Sequence, residues 1–138
     1  MRGVRSGVIC GIGLVGMSIA SASAQNPGGS ADAKKIANPV ASSPASIAAG
    51  QAVYQKNCRF CHGPEAKGNG PGAPKDTHPS DLTDAKWDRG STDGEIFAVL
   101  RDGAGPEFKM RGYKGRIPEQ DMWSVVNYLR SIGPKKKP

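Results

Sequence analysis

The chain lacks the sequence features of membrane-spanning, nucleic-acid-binding and repeat proteins. Apart from its first two dozen residues, it has no apolar run long enough to cross a bilayer, which takes about 20 residues. Its aromatic residues amount to 6% and are not interleaved with the basic ones, so a nucleic-acid-binding surface is not expected. No internal repeat is present, and 138 residues leave room for one domain. The chain has only three cysteines and two histidines, so few residues are candidates for metal binding or covalent attachment of a cofactor.

The first residues have the three-part layout of a secretory signal. Met1–Arg5 carries two arginines, Gly7–Ala20 is uncharged and largely apolar, and Ala22-Ser23-Ala24 has the small-residue pattern that signal peptidase requires. We therefore predict a signal peptide over residues 1–24, cleaved after Ala24, and a periplasmic mature protein. An uncleaved anchor is the alternative, but the run is short and interrupted by glycines. A lipoprotein is disfavoured because Cys10 lies inside the run rather than after it.

Composition divides the rest of the chain into three parts. Residues 25–45 are mainly Ala, Ser, Pro, Gly, Asn and Lys, have almost nothing to bury, and predict a flexible linker. Residues 46–133 contain the apolar patterns of a folded domain, and residues 134–138 form a basic tail that is expected to be disordered. A domain this small buries only about 60–65% of its unfolded surface. An apolar cofactor in its core would therefore stabilise it considerably.

Three helices are predicted within the domain. The first spans residues 47–57, and the second opens at Thr92, whose hydroxyl caps it while Glu95 reaches back. The third begins near residue 118, and its apolar arc of roughly 220° needs two neighbours, for instance another helix and a cofactor. The Gly- and Pro-rich stretch 63–89 shows no alternating strand pattern. It is long for a connection in a compact domain, and such loops usually carry function.

The strongest chemical signal is the sequence Cys58-Arg59-Phe60-Cys61-His62. It has the C-x-x-C-H pattern of covalent haem attachment, in which two thiols add to the two vinyl groups of one haem and the adjacent histidine is held against the iron. We predict Cys58 and Cys61 as attachment residues of one haem c, and His62 as a metal ligand. A thioredoxin-like thiol pair would need a preceding strand and a βαβ setting. A zinc site would need a fourth ligand, and His78 is the one other histidine.

From Ser46 to Ile132 the chain resembles the class I bacterial monohaem cytochromes c. The resemblance rests on short motifs before and after the haem-attachment sequence, namely Gly50, Tyr54, Gly68-Asn69-Gly70-Pro71 and Trp123–Leu129. It implies a small all-α class I cytochrome c fold, with three to five helices wrapped around one covalently bound haem. In that family the first and last helices cross closely, which would place Gly50 at the crossing.

Cytochromes of this kind usually complete the iron coordination with a methionine on a loop before the last helix, and Met110 occupies that position. Its rivals are Met122, on the buried face of the last predicted helix, and His78, in the middle loop. The family often has a proline directly after this methionine, whereas Arg111 follows Met110 here. A methionine ligand would favour ferrous iron and raise the reduction potential.

Further roles are implied by the resemblance and left open by the residues. A proline carbonyl commonly accepts the other ring N–H of the haem histidine, and three prolines qualify: Pro71, Pro74 and Pro79. Trp87 either faces a haem propionate or fills the loop core. Basic residues near the expected haem edge either form a docking ring or are simply solvated: Lys56, Lys67, Lys109, Arg111 and Lys114.

The resemblance implies a periplasmic one-electron carrier rather than an enzyme, with His62 and Met110 as the iron ligands. Its expected partners are redox proteins, a dehydrogenase or an oxidase. No nucleic acid and no stable membrane insertion are expected, and the protein is expected to be a monomer. One alternative is a haem protein with an open distal site, a sensor or a peroxidase-like enzyme, in which His78 would be the polar group. Another is a cytochrome subunit bound to one dehydrogenase.

Overall fold

The computed structural model describes residues 31–76, 78–105 and 109–134. Five helices and one antiparallel pair of short strands occur in this part of the chain: α1 Ala31–Lys34, α2 Pro44–Asn57, α3 Arg59–His62, α4 Asp93–Asp102, β1 Gly103–Ala104, β2 Met110–Arg111 and α5 Glu119–Ile132. This architecture confirms the predicted all-α class with three to five helices. The predicted signal peptide and residues 135–138 of the predicted tail lie outside the described residues. None of the described helices has the length and apolar character that a membrane span requires.

The helices α2 and α5 are the longest, and their crossing forms the centre of the fold. Gly50 of α2 is buried at this crossing, against the backbone of α5 at Ser124. One turn further along α2, the ring of Tyr54 is fully buried and its centroid lies 5.3 Å from that of Tyr128. The crossing implied by the family resemblance is therefore present, and the absence of a side chain at Gly50 permits it.

The start of α2 lies earlier than the sequence predicted. Ser43 caps the helix, because its hydroxyl accepts the N–H of Ser46 at 3.1 Å while the Ser46 hydroxyl accepts the N–H of Ser43 at 3.0 Å. Pro44 then occupies the first helical position, where its missing N–H costs nothing. The predicted start near residue 47 relied on apolar periodicity, which says little about a polar first turn.

The helix α4 follows its sequence signals closely. The Thr92 hydroxyl accepts the N–H of Glu95, and the Glu95 carboxylate accepts the N–H of Thr92 at 2.9 Å, which confirms the predicted cap. Phe97 of α4 stacks on Trp123 of α5, with ring centroids 3.9 Å apart. The wide apolar arc of α5 is thus covered by α2 and α4 together, and part of it remains for a cavity described below.

Residues 31–43, within the segment predicted as a linker, contact α4 and α5. Ala33 of α1 is 5% exposed, and Gly94 of α4 lies so close that a Cβ there would be 2.1 Å from the Ala33 carbonyl oxygen. The Asn38 side chain donates to Asn127 Oδ1 at 2.9 Å, and Asn127 in turn donates to the carbonyl of Val40 at 3.0 Å. These contacts use backbone and amide groups rather than large apolar side chains, so a reading of composition could not find them.

Candidate functional site

A cavity of about 690 Å³ opens between the haem-attachment sequence and the loop that leads into α5. A second cavity of about 250 Å³ shares part of its lining, including His62 and Met110. The larger one is lined by Asn57, Cys58, Cys61, His62, Pro74, Asp76, His78, Pro79, Ser80, Arg89, Ala104, Gly105, Lys109, Met110, Arg111, Tyr113 and Arg116. The volume of the larger cavity falls in the range of sites that enclose a small ligand or cofactor, roughly 300–1,000 Å³.

The two thiols lie where the long helix α2 ends and the single turn α3 begins. Cys58 ends α2 and begins the single turn α3, so Cys58 and Cys61 stand three positions apart on one face. Neither forms a disulfide; Cys58 is buried and Cys61 half-buried. Burial, with a smaller contribution from Cys61, raises the pKa of the Cys58 thiol to about 12. A thiol–disulfide redox pair needs a lowered pKa instead, so this environment argues against the thioredoxin-like alternative.

The His62 ring is fixed by the backbone of the middle loop. Its Nδ1 lies 3.2 Å from the carbonyl oxygen of Ser80. Since a carbonyl can only accept, Nδ1 carries the proton and donates, which leaves the Nε2 lone pair free for a metal. Burial lowers the pKa of His62, and the Ser80 bond partly offsets this, so the neutral ring that binds metals is favoured. The acceptor is therefore Ser80, which directly follows Pro79, rather than the carbonyl of one of the three candidate prolines.

A glycine-rich segment holds the short helix α3 in place. The backbone N–H groups of Gly68, Gly70 and Gly72 donate to the carbonyls of His62, Cys61 and Phe60, at 2.8, 3.0 and 2.8 Å. These are the carbonyls that a helix end leaves without partners. A Cβ at Gly70 would lie 2.4 Å from the Phe60 carbonyl oxygen, so the close approach requires glycine. The alternation of glycines after the haem-attachment sequence thus serves to satisfy its backbone.

The segment that contains Met110 also lines both cavities. Met110 pairs with Ala104 in the two-stranded sheet, is half-buried, and packs against the apolar core. His78 is exposed and lines the larger cavity but not the smaller one. Met122 is 1% exposed inside the core, as the sequence suggested, and lines neither cavity. Of the three candidates for a second ligand, only Met110 lines both cavities together with His62.

Basic residues outnumber acidic ones among the described residues that line the larger cavity. Arg89, Lys109, Arg111 and Arg116 line it, against one carboxylate, Asp76. Within the described part of the chain, half-buried Arg89 forms neither a hydrogen bond nor an ion pair, although it lines both cavities. The expectation for Trp87 stays open, since it lines the smaller cavity and also packs on the core.

Sequence reasoning missed three residues of this site: Ser80, Arg89 and Tyr113. Ser80 and Arg89 lie in the long middle loop, where no helical or strand periodicity indicates which residues face the cavities. The one sequence signal that could have indicated Tyr113 is that it is a large aromatic residue in an otherwise polar stretch, three positions after Met110. Among the described residues, no group of three or more His, Cys, Asp or Glu side chains could hold a metal ion.

Comparisons with known proteins identify the family. Residues 45–129 match the family model described as cytochrome C oxidase, cbb3-type, subunit III. The chain is 32% identical over 90 residues to the cbb3-type cytochrome c oxidase subunit FixP of Bradyrhizobium sp. (strain ORS 278), covering 64% of this chain and 28% of that protein. It is also 32% identical over 105 residues to cytochrome c550 of Pseudomonas aeruginosa, covering 73% and 66%. The chain thus spans less than a third of the FixP subunit.

Among solved structures, the fold is similar to cytochrome cL from Methylophaga aminisulfidivorans, with a TM-score of 0.55 and 20% identity. That likeness covers 65% of this chain and 55% of the other. At this level of identity the likeness bears on the fold, and it agrees with the class I cytochrome c architecture expected from the sequence.

Proposed function

The chain belongs to the cytochrome c family described as cytochrome C oxidase, cbb3-type, subunit III, and we propose that it is a periplasmic one-electron carrier in which His62 and Met110 ligate the iron of its covalently bound haem c. It is a c-type cytochrome, and Cys58, Cys61 and His62 fit the C-x-x-C-H motif of this cofactor. The axial ligation and the compartment belong to the proposal.

The residues of the site fit the cofactor. Two free thiols stand on one helical face at the wall of a cavity of about 690 Å³. The adjacent His62 imidazole is held in the neutral form whose Nε2 lone pair is available, because Ser80 accepts a hydrogen bond from its Nδ1. Cys58 and Cys61 would hold the group by thioether bonds, and His62 would supply a nitrogen ligand.

One observation carries the choice of Met110: His62 and Met110 are both part of the lining of both cavities, whereas His78 lines the larger one alone. The backbone of Met110 pairs with that of Ala104, which keeps the Met110 segment beside both cavities. When bound, haem iron with histidine and methionine ligands alternates between the ferrous and ferric states and supplies one-electron transfer.

The chain's own residues prepare a site suited to that chemistry. Alongside polar and charged residues, the lining of the smaller cavity includes six apolar side chains: Leu82, Trp87, Ile96, Val99, Leu100 and Leu129. Apolar surroundings and a weakly donating thioether both favour the ferrous state. We also propose that the haem propionates, two carboxylates, are held by Arg89, whose guanidinium meets no anion among the described residues.

The visible spectrum with and without carbon monoxide tests the ligation. The ferrous protein should resist carbon monoxide because Met110 occupies the sixth position, and the ferric protein should show the weak long-wavelength absorption of methionine sulfur bound to haem. Ready binding of carbon monoxide by the unmodified protein would contradict the proposal. The open-site alternative, with His78 as its polar group, would then take its place.

A second candidate is favoured by the names of the relatives. FixP of Bradyrhizobium sp. and CcoP of Rhodobacter capsulatus are both described as cbb3-type cytochrome c oxidase subunits, and the chain matches 28% and 29% of them. The protein would then be a cytochrome subunit of a redox complex, with the same one-electron chemistry. The mass of the protein's native assembly, measured after gentle extraction from the host, separates the two candidate functions. A monomer supports the free carrier, and co-purification with an oxidoreductase supports the subunit.

The boundaries remain part of the proposal as well. We propose a secretory signal over residues 1–24, and a folded unit that starts at Ala31 rather than residue 46, because residues 31–43 pack on α4 and α5. Mass spectrometry of the exported protein checks the first boundary, since cleavage after Ala24 leaves Gln25 as the N-terminal residue.

A further inference from the structure

The side chain of Tyr113 joins two distant parts of the cavity wall. Its hydroxyl donates to the carbonyl oxygen of Asn57 at 2.8 Å, although the two residues are 56 positions apart. Asn57 is the last residue of α2 and directly precedes Cys58. Tyr113 lies three positions after Met110, so this bond links the methionine segment to the haem-attachment turn.

The acceptor is a carbonyl that the end of α2 leaves unused. The N–H that would normally reach it, that of Cys61, donates to the carbonyl of Cys58 at 3.2 Å instead. A helix end whose carbonyls lack partners needs another donor. The Tyr113 hydroxyl provides it, so the bond is part of how the attachment turn is closed.

Tyr113 itself is held firmly. Its backbone N–H donates to the carbonyl of Leu100 at 2.8 Å, at the end of α4. The guanidinium of Arg116 lies 4.6 Å from the centre of its ring, a favourable cation–π distance. Gly112 allows the segment to approach α4, because a Cβ there would lie 2.4 Å from the carbonyl oxygen of Arg101.

The Met110 segment has other supports, but the backbone bonds of Tyr113 and Lys114 lead to α4, and two further supports are slight. The sheet consists of two residue pairs, Gly103 with Arg111 and Ala104 with Met110. The ion pair between Lys109 and Asp76 is 3.8 Å long, with side chains 46% and 80% exposed, and such surface pairs contribute little. The Tyr113 hydroxyl bond is therefore well placed to decide how closely this segment stays against the attachment turn.

We propose that Tyr113 is a positioning residue whose bond to Asn57 holds the Met110 segment closed over the haem, and so sets how readily an external ligand replaces the methionine. The inference rests on the proposed ligation by Met110. Loss of the hydroxyl leaves the ring and its contacts in place, but it frees the segment to move away from the attachment turn.

The test compares haem-loaded Tyr113→Phe with the unmodified protein. The ferric form of each is titrated with imidazole, and the loss of the long-wavelength methionine absorption is followed. Tyr113→Phe should keep that absorption without imidazole and bind imidazole about two- to tenfold more tightly, the factor that the loss of one intramolecular hydrogen bond gives. Hydrogen exchange should also be faster in residues 110–117 and unchanged in α5.

Tyr54→Phe is the matched control. The Tyr54 hydroxyl also donates to a backbone carbonyl, that of Gly63 at 2.7 Å, but on the histidine side of the site. The Tyr54→Phe variant should have a lower melting temperature than the unmodified protein, but the same affinity for imidazole. An unchanged affinity in Tyr113→Phe, or an equal rise in both variants, would overturn the positioning role while leaving the ligation by Met110 intact. An unmodified protein without the methionine absorption would instead refute the ligation, and this inference with it.

Discussion

Gly50 of α2 and Ser124 of α5 meet backbone to backbone, so that a Cβ on Gly50 would lie 1.9 Å from the Ser124 carbonyl oxygen. That oxygen belongs to a helix and cannot move aside cheaply. Gly50→Ala should therefore push the helices apart and destabilise the fold by about 1–3 kcal/mol, the usual cost of overpacking. Chemical denaturation measures it, and Gln51→Ala, on the exposed face of α2, should change stability by less than about 0.5 kcal/mol.

The N-terminal segment should contribute to stability through its polar contacts. Asn38→Ala removes the donor to Asn127 Oδ1 and to the carbonyl of Trp123, and it should cost about 1 kcal/mol of unfolding free energy. Deletion of residues 25–43 should cost more, because Ala33 and the cap of α2 are lost as well. Lys35→Ala is the control, since its ion pair with Asp32 is exposed and worth little. A deletion variant that melts like the full protein would restore the flexible-linker interpretation.

The buried carboxylate of Glu95 should give the fold an acid-sensitive component. Burial raises its pKa, but the hydrogen bonds from Thr92, together with the charge of Lys34 and a bond from the Ser91 backbone, bring the pKa below its usual value. Because the folded pKa is the lower one, the ionised group contributes stability above the unfolded pKa of about 4.3, and this is lost as the pH falls through the folded value. Glu95→Gln should be less stable at pH 7 and lose less stability below about pH 5. Melting curves from pH 3 to 7 measure this, and Thr92→Ser, which keeps the hydroxyl, should retain the acid dependence.

Substitution of Met110 should change the spectrum and the potential together. Met110→Ala should abolish the long-wavelength ferric absorption, lower the reduction potential and admit carbon monoxide to the ferrous iron. Met110→His should keep six ligands but also lower the potential, because imidazole donates more strongly than a thioether. Met122→Leu is the control: it swaps similar volumes in the core, should cost less than about 1.5 kcal/mol and should leave the spectrum alone. A Met110→Ala spectrum identical to that of the unmodified protein would exclude the ligation.

Removal of the charge at Arg89 should lower the reduction potential. A guanidinium near the haem opposes the extra positive charge of ferric iron, and it also compensates a propionate. Arg89→Gln should therefore favour the ferric state in a redox titration. Arg130→Gln, which removes a charge paired with Asp93 away from the cavities, should leave the potential unchanged. Equal potentials for both variants would remove Arg89 from the proposed propionate site.

Local sequence signals account for much of the fold. Thr92 and Glu95 are three residues apart, and the cap they form needs no other part of the chain. The same is true of the C-x-x-C-H motif, where helical spacing alone puts both thiols on one face. The family resemblance supplied the crossing at Gly50, which the structure contains. It also placed Met110 on a loop before α5, whereas Met110 lies in the short strand β2.

What the sequence by itself determined is the chemistry of attachment, the helical class and the three main helices, because each depends on residues within a few positions of one another. The tertiary structure alone decided that Ser80 rather than a proline accepts from His62, that residues 31–43 pack on α4 and α5, and that Tyr113 reaches Asn57. These are bonds to backbone carbonyls and amides. Every residue has such a carbonyl, so no side-chain pattern indicates which one will be chosen. The choice follows from how the loops return to the helices in three dimensions.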